Sequence, residues 1–245
     1  MTKTIFITGG STGIGQASVE KFHAMGWNVG FMDINVEAGQ KLAATYDNVL
    51  FFEGDTRNKS DIANAVAQTV AHFGGLDSIF ANAGIHRSNS LLDITDEELD
   101  FMLDVNVKGC VNTLRIAVPY LLERGGSVII NSSDQFHIGK ANSFGYGLTK
   151  GATGQIARSL AIDLGPKNIR VNAICAATIV TPLSERIFAA AQEGGPTWES
   201  EAENYPLKRV GKASEVAEFV YFLASDGASF MTGGVYLIDG GLVAQ

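Results

Sequence analysis

Short runs of consecutive apolar residues alternate along the whole chain with longer stretches whose apolar positions recur every three or four residues. Lys3–Thr8, Trp27–Met32, Val49–Glu53, Leu76–Ala81, Ser127–Asn131, Ile169–Ile174 and Gly234–Ile238 read as strands. Most of these runs are almost continuously apolar, as strands buried on both faces must be. Between them the helical period runs over Gly13–Met25, Val36–Tyr46, Lys59–Phe73, Asp96–Glu123, Tyr146–Leu164 and Glu215–Ala224. Asn58, Thr95 and Ser214 stand where N-caps belong, and Thr95 with Glu98 has the spacing of a capping box. Strand and helix in alternation predict an α/β fold, a single Rossmann-type doubly wound parallel sheet of about seven strands with helices on both faces.

No linker, repeat or low-complexity tract interrupts the alternation, so residues 1–245 read as one domain. The stretch 182–209 alone breaks the rhythm. It carries Gly194-Gly195-Pro196, an exposed-looking Trp198, and Glu199, Glu201 and Glu203 in quick succession. It reads as an insertion over the sheet's edge, either a lid over a binding site or a plain surface excursion.

With 46% of its 245 residues hydrophobic and 18% charged, the chain has enough apolar surface for a large core. Its 28 glycines follow no three-residue period, which excludes a collagen-like fibre. Lys and Arg number 18 against 26 Asp and Glu, a formal charge of 18 − 26 = −8, and no basic stripe is present, so no nucleic-acid partner is expected. The two cysteines, Cys110 and Cys175, sit in apolar contexts and predict neither a disulfide framework nor a thiolate metal site. His23, His72, His86 and His137 show no paired ligand spacing, so no metal is expected. The opening MTKTIFITGG has too few apolar residues before its glycines for a secretory signal, and no apolar run reaches the ~18 residues needed to span a bilayer. A cytoplasmic protein without membrane contact is expected.

The first strand runs into Thr8-Gly9-Gly10-Ser11-Thr12-Gly13-Ile14-Gly15 and then a helix. Such a turn lets backbone N–H groups and the positive end of the helix approach a pyrophosphate without Cβ obstruction. Asp33 follows 18 residues after Gly15, at the end of the second strand. A carboxylate there accepts hydrogen bonds from the adenosine ribose hydroxyls and repels a 2′-phosphate, which favours NAD over NADP.

Tyr146 and Lys150 stand four residues apart, one helical turn from each other on the same face. A phenol with a pKa of about 10 is a poor base near neutrality unless a cation steadies its phenolate, which Lys150 would do. Ser133, 13 residues before Tyr146 at a strand end, adds a hydroxyl able to hold a substrate carbonyl or alkoxide while the tyrosine moves the proton.

Taken together, these residues make the chain resemble the short-chain dehydrogenase/reductase family over essentially its whole length. The motifs carrying the resemblance are Thr8-Gly9-x-x-x-Gly13-x-Gly15, Asn82-Ala83-Gly84, Asn106, Ser133, Tyr146-x-x-x-Lys150 and Asp239-Gly240-Gly241. The resemblance implies that Tyr146 is the acid/base, that Ser133 steadies the substrate oxygen, and that Lys150 holds the nicotinamide ribose and lowers the tyrosine's pKa. It further implies that Asn106 keeps a water link to the lysine, and that the cofactor site comprises Gly9, Ser11, Thr12, Gly13, Ile14, Gly15, Asp33, Asp55, Thr56, Asn82, Ala83, Gly84, Ile179 and Thr181 with Tyr146 and Lys150. Asp55 is expected at the adenine, and Ile179 and Thr181 at the nicotinamide carboxamide. Most relatives being tetramers, a homotetramer is implied. The chain departs from the family at Ala176-Ala177, where Pro-Gly is usual, and the swap is expected to alter the backbone path beside the nicotinamide.

By the same pattern the substrate cavity is lined by residues after Ser133 and before Tyr146: Asp134, Gln135, His137, Asn142 and Phe144. His86 and Arg87 border it, with Arg186, Trp198 and Tyr205 from the lid. So polar a set argues for a small hydroxylated substrate, a sugar, polyol or hydroxy acid, with Arg186 available to a carboxylate. The expected activity is NAD-dependent hydride transfer between nicotinamide and a secondary alcohol or ketone. The alternatives are an acyl-carrier-protein ketoreductase, a redox-neutral dehydratase or epimerase, and a non-catalytic NAD-binding sensor. Against the ketoreductase stand Asp33 and the acids Glu185, Glu193, Glu199, Glu201 and Glu203, which would repel an acidic carrier.

Overall fold

The computed structural model describes residues 2–189 and 197–245. Seven parallel strands, β1 (Thr4–Thr8), β2 (Asn28–Asp33), β3 (Val49–Glu53), β4 (Ser78–Ala81), β5 (Gly126–Asn131), β6 (Ile169–Ala176) and a seventh, Val235–Ile238, form one sheet. The spatial order is β3-β2-β1-β4-β5-β6 with Val235–Ile238 at the far edge, the doubly wound arrangement that the alternation predicts. The order reverses between β1 and β4, whose registers place Thr8 beside Met32 on one side and Ala81 on the other. Ligands of such sheets bind at the carboxyl ends of the strands beside that reversal.

Successive strand residues serve opposite faces. Ile5, Ile7, Phe31, Phe80, Ile129 and Ile174 pack with Phe22 of α1 (Gly13–Ala24) and with Val216 and Val220 of the helix Ala213–Ala224. Phe6, Met32, Ile79, Val128, Ile130, Val171 and Ala173 face Ile62 and Val66 of α3 (Lys59–Phe73), Leu114 of α5 (Gly109–Ala117) and Ala157 of α6 (Phe144–Leu164). The outer helix α2 (Val36–Ala43) packs on β3. Burying this many side chains of Ile, Leu, Val and Phe, at about 1.5–3 kcal/mol each, fixes which face of every helix turns inward.

The structure corrects several boundaries. The helix expected over Asp96–Glu123 is four segments: α4 (Asp96–Met102), a widened turn at Leu103–Lys108, α5, and a tight turn at Val118–Leu121. Pro119, lacking an N–H, ends α5. The widening carries Asn106, whose side chain is anchored outside its own helix. Asn58 and Thr95 cap as expected, and Thr95 and Glu98 form the reciprocal capping box. Ser214 does not cap: it lies inside the helix Ala213–Ala224, whose start is held by Glu215 accepting the Lys212 N–H at 2.8 Å.

Within 182–209, α7 (Pro182–Ala189) and α8 (Trp198–Glu203) are helical; Gly194-Gly195-Pro196 and Glu193 lie outside the described residues. A two-strand pair that the pattern does not announce, β7 (Ile179–Val180) with β8 (Gly211–Lys212), ties the two ends of this segment together. The helix Ala213–Ala224 is therefore α9 and the edge strand Val235–Ile238 is β9. Among the described residues no helix is long and apolar enough to cross a membrane.

Candidate active site

Beyond Thr8 the chain turns at Gly9, whose φ of +67° suits glycine. A Cβ on Gly15 would stand 1.9 Å from the Gly9 carbonyl oxygen, so the turn closes on α1 only with glycine there. Thr12, extended before the helix, offers no side-chain cap, and the first-turn N–H groups of α1 are left for an external acceptor. Asn82 clamps the loop. Its Nδ2 donates to the carbonyls of Thr8 (3.0 Å) and Gly9 (2.9 Å), while its Oδ1 accepts from Asn131 Nδ2 at 2.8 Å.

Asp33 accepts the Ser11 N–H on one oxygen and the Asn35 N–H on the other, both at 2.9 Å. Among the described residues it forms no ion pair with a Lys, Arg or His. Ile14 is half-buried against the core behind the loop. Thr181 lies across from it, 3.1 Å from where a Cβ on Gly13 would stand, and follows the buried Ile179. A helix end open to an anion, a glycine-walled cradle and a carboxylate in no ion pair among the described residues fit a dinucleotide.

Two residues expected at the cofactor are engaged within the protein. The Asp55 carboxylate accepts from Arg57 Nε at 2.9 Å, and this bond holds it below the usual carboxylate range despite partial burial. Buried Thr56 gives its carbonyl to Asn112 Nδ2 at 3.2 Å.

At the carboxyl end of β5 the chemistry-bearing side chains converge. Lys150, buried in α6, donates from Nζ to the Asn131 carbonyl at 2.7 Å and lies 5.5 Å from the centroid of the Tyr146 ring. Burial draws the ammonium down to about 8. Burial also pushes the Tyr146 phenol well above its ordinary value; the Ser133 hydroxyl, in hydrogen-bond reach, pulls it down, and the nearby Asp134 charge pushes it up again. Ser132 fixes the opposite side of α6 by donating to the Lys150 carbonyl at 2.8 Å. Gly84 adjoins the same spot, a Cβ there standing 3.5 Å from Lys150 Nζ, and Ala83 donates its N–H to the Thr8 hydroxyl.

Asn106, buried in the widened turn, donates to the Ile85 carbonyl (2.9 Å) and Thr149 Oγ1 (3.0 Å) and accepts the Ile85 N–H (2.8 Å). Its side chain thus ties the loop after β4 to α6 one residue before Lys150. A phenol beside an ammonium and a hydroxyl is equipped to hold an oxygen and exchange its proton.

The substrate candidates divide. His86 packs against Tyr146 with ring centroids 4.7 Å apart, and Gln135 lies along the Tyr146 turn, its Oε1 3.2 Å from where a Cβ on Gly147 would stand. Asp134 is buried directly behind Ser133. His137 is instead exposed, edge-on to Phe136, and Phe144, Asn142, Arg87 and Arg186 are exposed as well. Tyr205 is 2% exposed, its hydroxyl donating to Glu201 at 2.9 Å and accepting the Thr178 N–H at 3.2 Å, which removes it from the substrate candidates. Trp198 is half-buried rather than exposed, stacked on Phe188 at 4.2 Å. Glu201 turns inward to Tyr205 and Thr178, so it does not belong to an acidic outer face with Glu185, Glu199 and Glu203.

Sequence reasoning missed Lys140, which pairs with Asp134 at 2.9 Å and comes within 4.0 Å of Glu201. It sits in a loop with no periodic signal, and only the opposite charges of the three residues hinted at the pairing. Among the described residues no cluster of three or more metal-ligating side chains occurs.

The family model described as enoyl-(acyl carrier protein) reductase matches residues 9–243. Glucose 1-dehydrogenase of Gluconobacter oxydans is 32% identical over 98% of this chain and 91% of its own length. L-fucose dehydrogenase of Mus musculus is 35% identical over 98% of this chain and 88% of its own. Among solved structures, ligand-free aldohexose dehydrogenase of Thermoplasma acidophilum superposes with a TM-score of 0.91 at 30% identity, covering 100% of this chain and 95% of that one. Two further structures, each 27% identical, hold different cofactors. A 3-ketoacyl-(acyl-carrier-protein) reductase of Brucella melitensis carries NADH (TM-score 0.90, 98% of each chain), and ElxO carries NADP (TM-score 0.92, 100% of each chain).

Proposed function

The chain belongs to the short-chain dehydrogenase/reductase family and is an oxidoreductase, and we propose that it is an NAD-linked dehydrogenase of a secondary alcohol on a small polar substrate, a sugar, polyol or hydroxy acid. The observation that carries the reading is the convergence of Tyr146, Ser133 and Lys150 at the end of β5, beside a glycine cradle whose acidic residue, Asp33, is in no ion pair among the described residues.

When bound, the nicotinamide supplies or accepts the hydride. The open N-terminus of α1 and the Gly9–Gly15 turn would hold the pyrophosphate, Asp33 the adenosine ribose hydroxyls, and Lys150 the nicotinamide ribose. In the oxidative direction Tyr146 takes the hydroxyl proton from the alcohol while Ser133 holds the same oxygen. The Lys150 ammonium steadies the phenolate, offsetting the burial that otherwise keeps the phenol protonated. The sugar dehydrogenases among its relatives and the polar His86, Gln135 and Asp134 around Tyr146 support a hydroxylated substrate. The reading includes a homotetramer. Leu148 and Ile162, 14 residues apart on one face of α6, and fully exposed Phe230 present apolar surface for it, and light scattering would read the mass.

The test is NADH absorbance with NAD or NADP and a panel of aldoses, polyols, hydroxy acids and acyl-thioesters, run on the wild type and Tyr146→Phe. Turnover of a polar alcohol with NAD, reduced at least ~100-fold in the variant while NAD binding persists, is the expected result. Turnover of acyl-thioesters with NADP alone would replace this reading with the acyl-carrier-protein reductase that the matching family model describes.

A further inference from the structure

We infer that Asn131, at the carboxyl end of β5, is a positioning residue for the site: its side chain holds the amide that clamps the glycine turn while its carbonyl holds the Lys150 ammonium, so the two ends of the site keep one spacing. The inference deepens the proposed function and rests on its reading of the glycine turn and of Lys150.

The position matters because of where the backbone ladder stops. β1 and β4 pair as far as Thr8 with Ala81, and β4 and β5 as far as Ala81 with Ile130. One residue further on, the chain leaves β4 and the Asn82 N–H turns to Thr8 Oγ1. This is the reversal of strand order, beside which ligands of such sheets bind. Side chains carry the next rung across it. Asn82 Nδ2 commits both of its protons, to the Thr8 carbonyl at 3.0 Å and the Gly9 carbonyl at 2.9 Å. Its Oδ1 therefore faces β5, where only a donor can meet it. Asn131 Nδ2 is that donor, at 2.8 Å. On its other side Asn131 pairs with Ile174 of β6, and the following N–H, of Ser132, reaches the Ile174 carbonyl at 2.8 Å. The rung thus runs from the glycine turn through two side-chain amides to β6.

The same residue anchors the ammonium. Lys150 is 4% exposed, and among the described residues its Nζ has one hydrogen-bond acceptor, the Asn131 carbonyl at 2.7 Å. A bond from a charged donor is about twice as strong as a neutral one, so the ammonium is held to that carbonyl. Without the bond between the two amides, the end of β5 is held by β6 alone. The Gly9 and Asn131 carbonyls are then free to shift relative to each other, and Lys150 moves with the second of them.

The test needs no substrate. Asn131→Leu keeps the volume and removes the donor, and Asn131→Thr, whose hydroxyl is one bond too short to reach Asn82, serves if the leucine variant does not fold. Calorimetric titration with ADP-ribose, which has the pyrophosphate and no nicotinamide, reads the glycine turn. It is expected to bind roughly five- to twentyfold more weakly to either variant, the cost of leaving Asn82 Oδ1 unpaired. The lysine end is read by NMR titration of isotope-labelled lysine, with Lys150→Met identifying the signal. Tyr146 of α6, Cys110 of α5, Cys175 of β6 and His86 after β4 are the titratable groups about the ammonium, and neither variant alters them. With the carbonyl displaced, burial acts unopposed and Lys150 is expected to lose proton affinity about threefold or more. A change at one end alone overturns the shared frame. No change at either end, whatever the melting temperature does, shows Asn131 to be an ordinary strand-end residue. A wild type that binds ADP-ribose and still oxidises no alcohol with NAD counts against the proposed function, while both readouts on Asn131 stand independently of it.

Discussion

His86 should make the fold acid-sensitive in a way that can be isolated. Its ring packs on Tyr146 at 4.7 Å and Nε2 lies 3.3 Å from Ser143 Oγ, while Nδ1 is buried without a hydrogen-bond partner. Burial, reinforced by the charges of Lys140, Arg87 and Lys150, depresses the imidazole from 6.5 to about 4. The sign follows from proton counting: between those two values the unfolded chain binds a proton that the folded one refuses, so stability is retained above pH 6.5 and lost as pH falls toward 4. Between pH 7 and about pH 5 the difference amounts to about 2 kcal/mol, a large part of the ~5–15 kcal/mol by which domains are stable. The perturbation is His86→Phe, which keeps an aromatic ring against Tyr146 and cannot titrate. Losing the contact to Ser143 costs about 1 kcal/mol at every pH and therefore cancels from the slope. Urea unfolding of both proteins at pH 7 and pH 5 should show the wild type losing about 2 kcal/mol more than the variant. Parallel losses, within about 0.5 kcal/mol, would mean that the ring is not held neutral and that its burial is not what the packing implies.

Three further outcomes follow from the geometry. Gly15→Ala places a Cβ 1.9 Å from the Gly9 carbonyl, and forcing the turn from α1 should cost about 1–3 kcal/mol in thermal unfolding and at least ~10-fold in NAD affinity by fluorescence titration. Trp198→Ala removes the stack on Phe188 that joins α8 to α7, worth about 0.5–1.5 kcal/mol, and should raise KM by roughly two- to tenfold with kcat little changed in steady-state assays. Lys150→Met should lower kcat by ~10²–10⁴. The same variant should abolish a rise in wild-type stability as pH climbs from about 8 to 10.5, the interval in which the unfolded chain keeps a proton that buried Lys150 has lost, measured by urea unfolding.

The fold was legible because its strands are buried on both faces. Runs such as Ile5-Phe6-Ile7 and Val128-Ile129-Ile130 have no polar position to confuse the period, and every one of the seven is a strand of the sheet. The break of Asp96–Glu123 was hidden, since the widened turn at Asn106 depends on Ile85 and Thr149, 21 and 43 residues away in sequence. The pair β7–β8 is two residues long on each side, too short for any periodicity to register. The local spacing of Tyr146 and Lys150 puts them on one turn of α6, and there they stand, 5.5 Å from ring centroid to ammonium. Proximity to a motif says less about surroundings: His137 and Tyr205 sit close to Ser133 or the lid in sequence, yet one faces solvent and the other is buried with its hydroxyl on Glu201 and Thr178. Composition shows that a side chain is polar, and only tertiary packing shows whether that polarity serves a ligand or another residue.

The alanines at 176 and 177 show how the site tolerates a change in its frame. A Pro-Gly pair would fix one φ, remove one donor and let the next residue turn freely. Here neither residue has a positive φ. Ala176 stays in β6 opposite Ile238, and the Ala177 N–H extends the ladder to the Ile238 carbonyl at 3.1 Å. The following Thr178 N–H reaches the Tyr205 hydroxyl, and Ile179 then pairs with Gly211 in the small sheet. Direction that a turn residue would impose through its own torsions is imposed instead by successive hydrogen bonds to three other segments. Ile179 and Thr181 therefore reach the mouth of the glycine cradle as parts of a continuous hydrogen-bonded strap. Through Thr178 and Tyr205 that strap meets Glu201, and through Lys140 it comes up against the carboxylate behind Ser133. The backbone that carries Ile179 and Thr181 and the carboxylate that accepts the Ser133 hydroxyl are thus braced by the same few side chains, so a variant that loosens Glu201 should disturb both together.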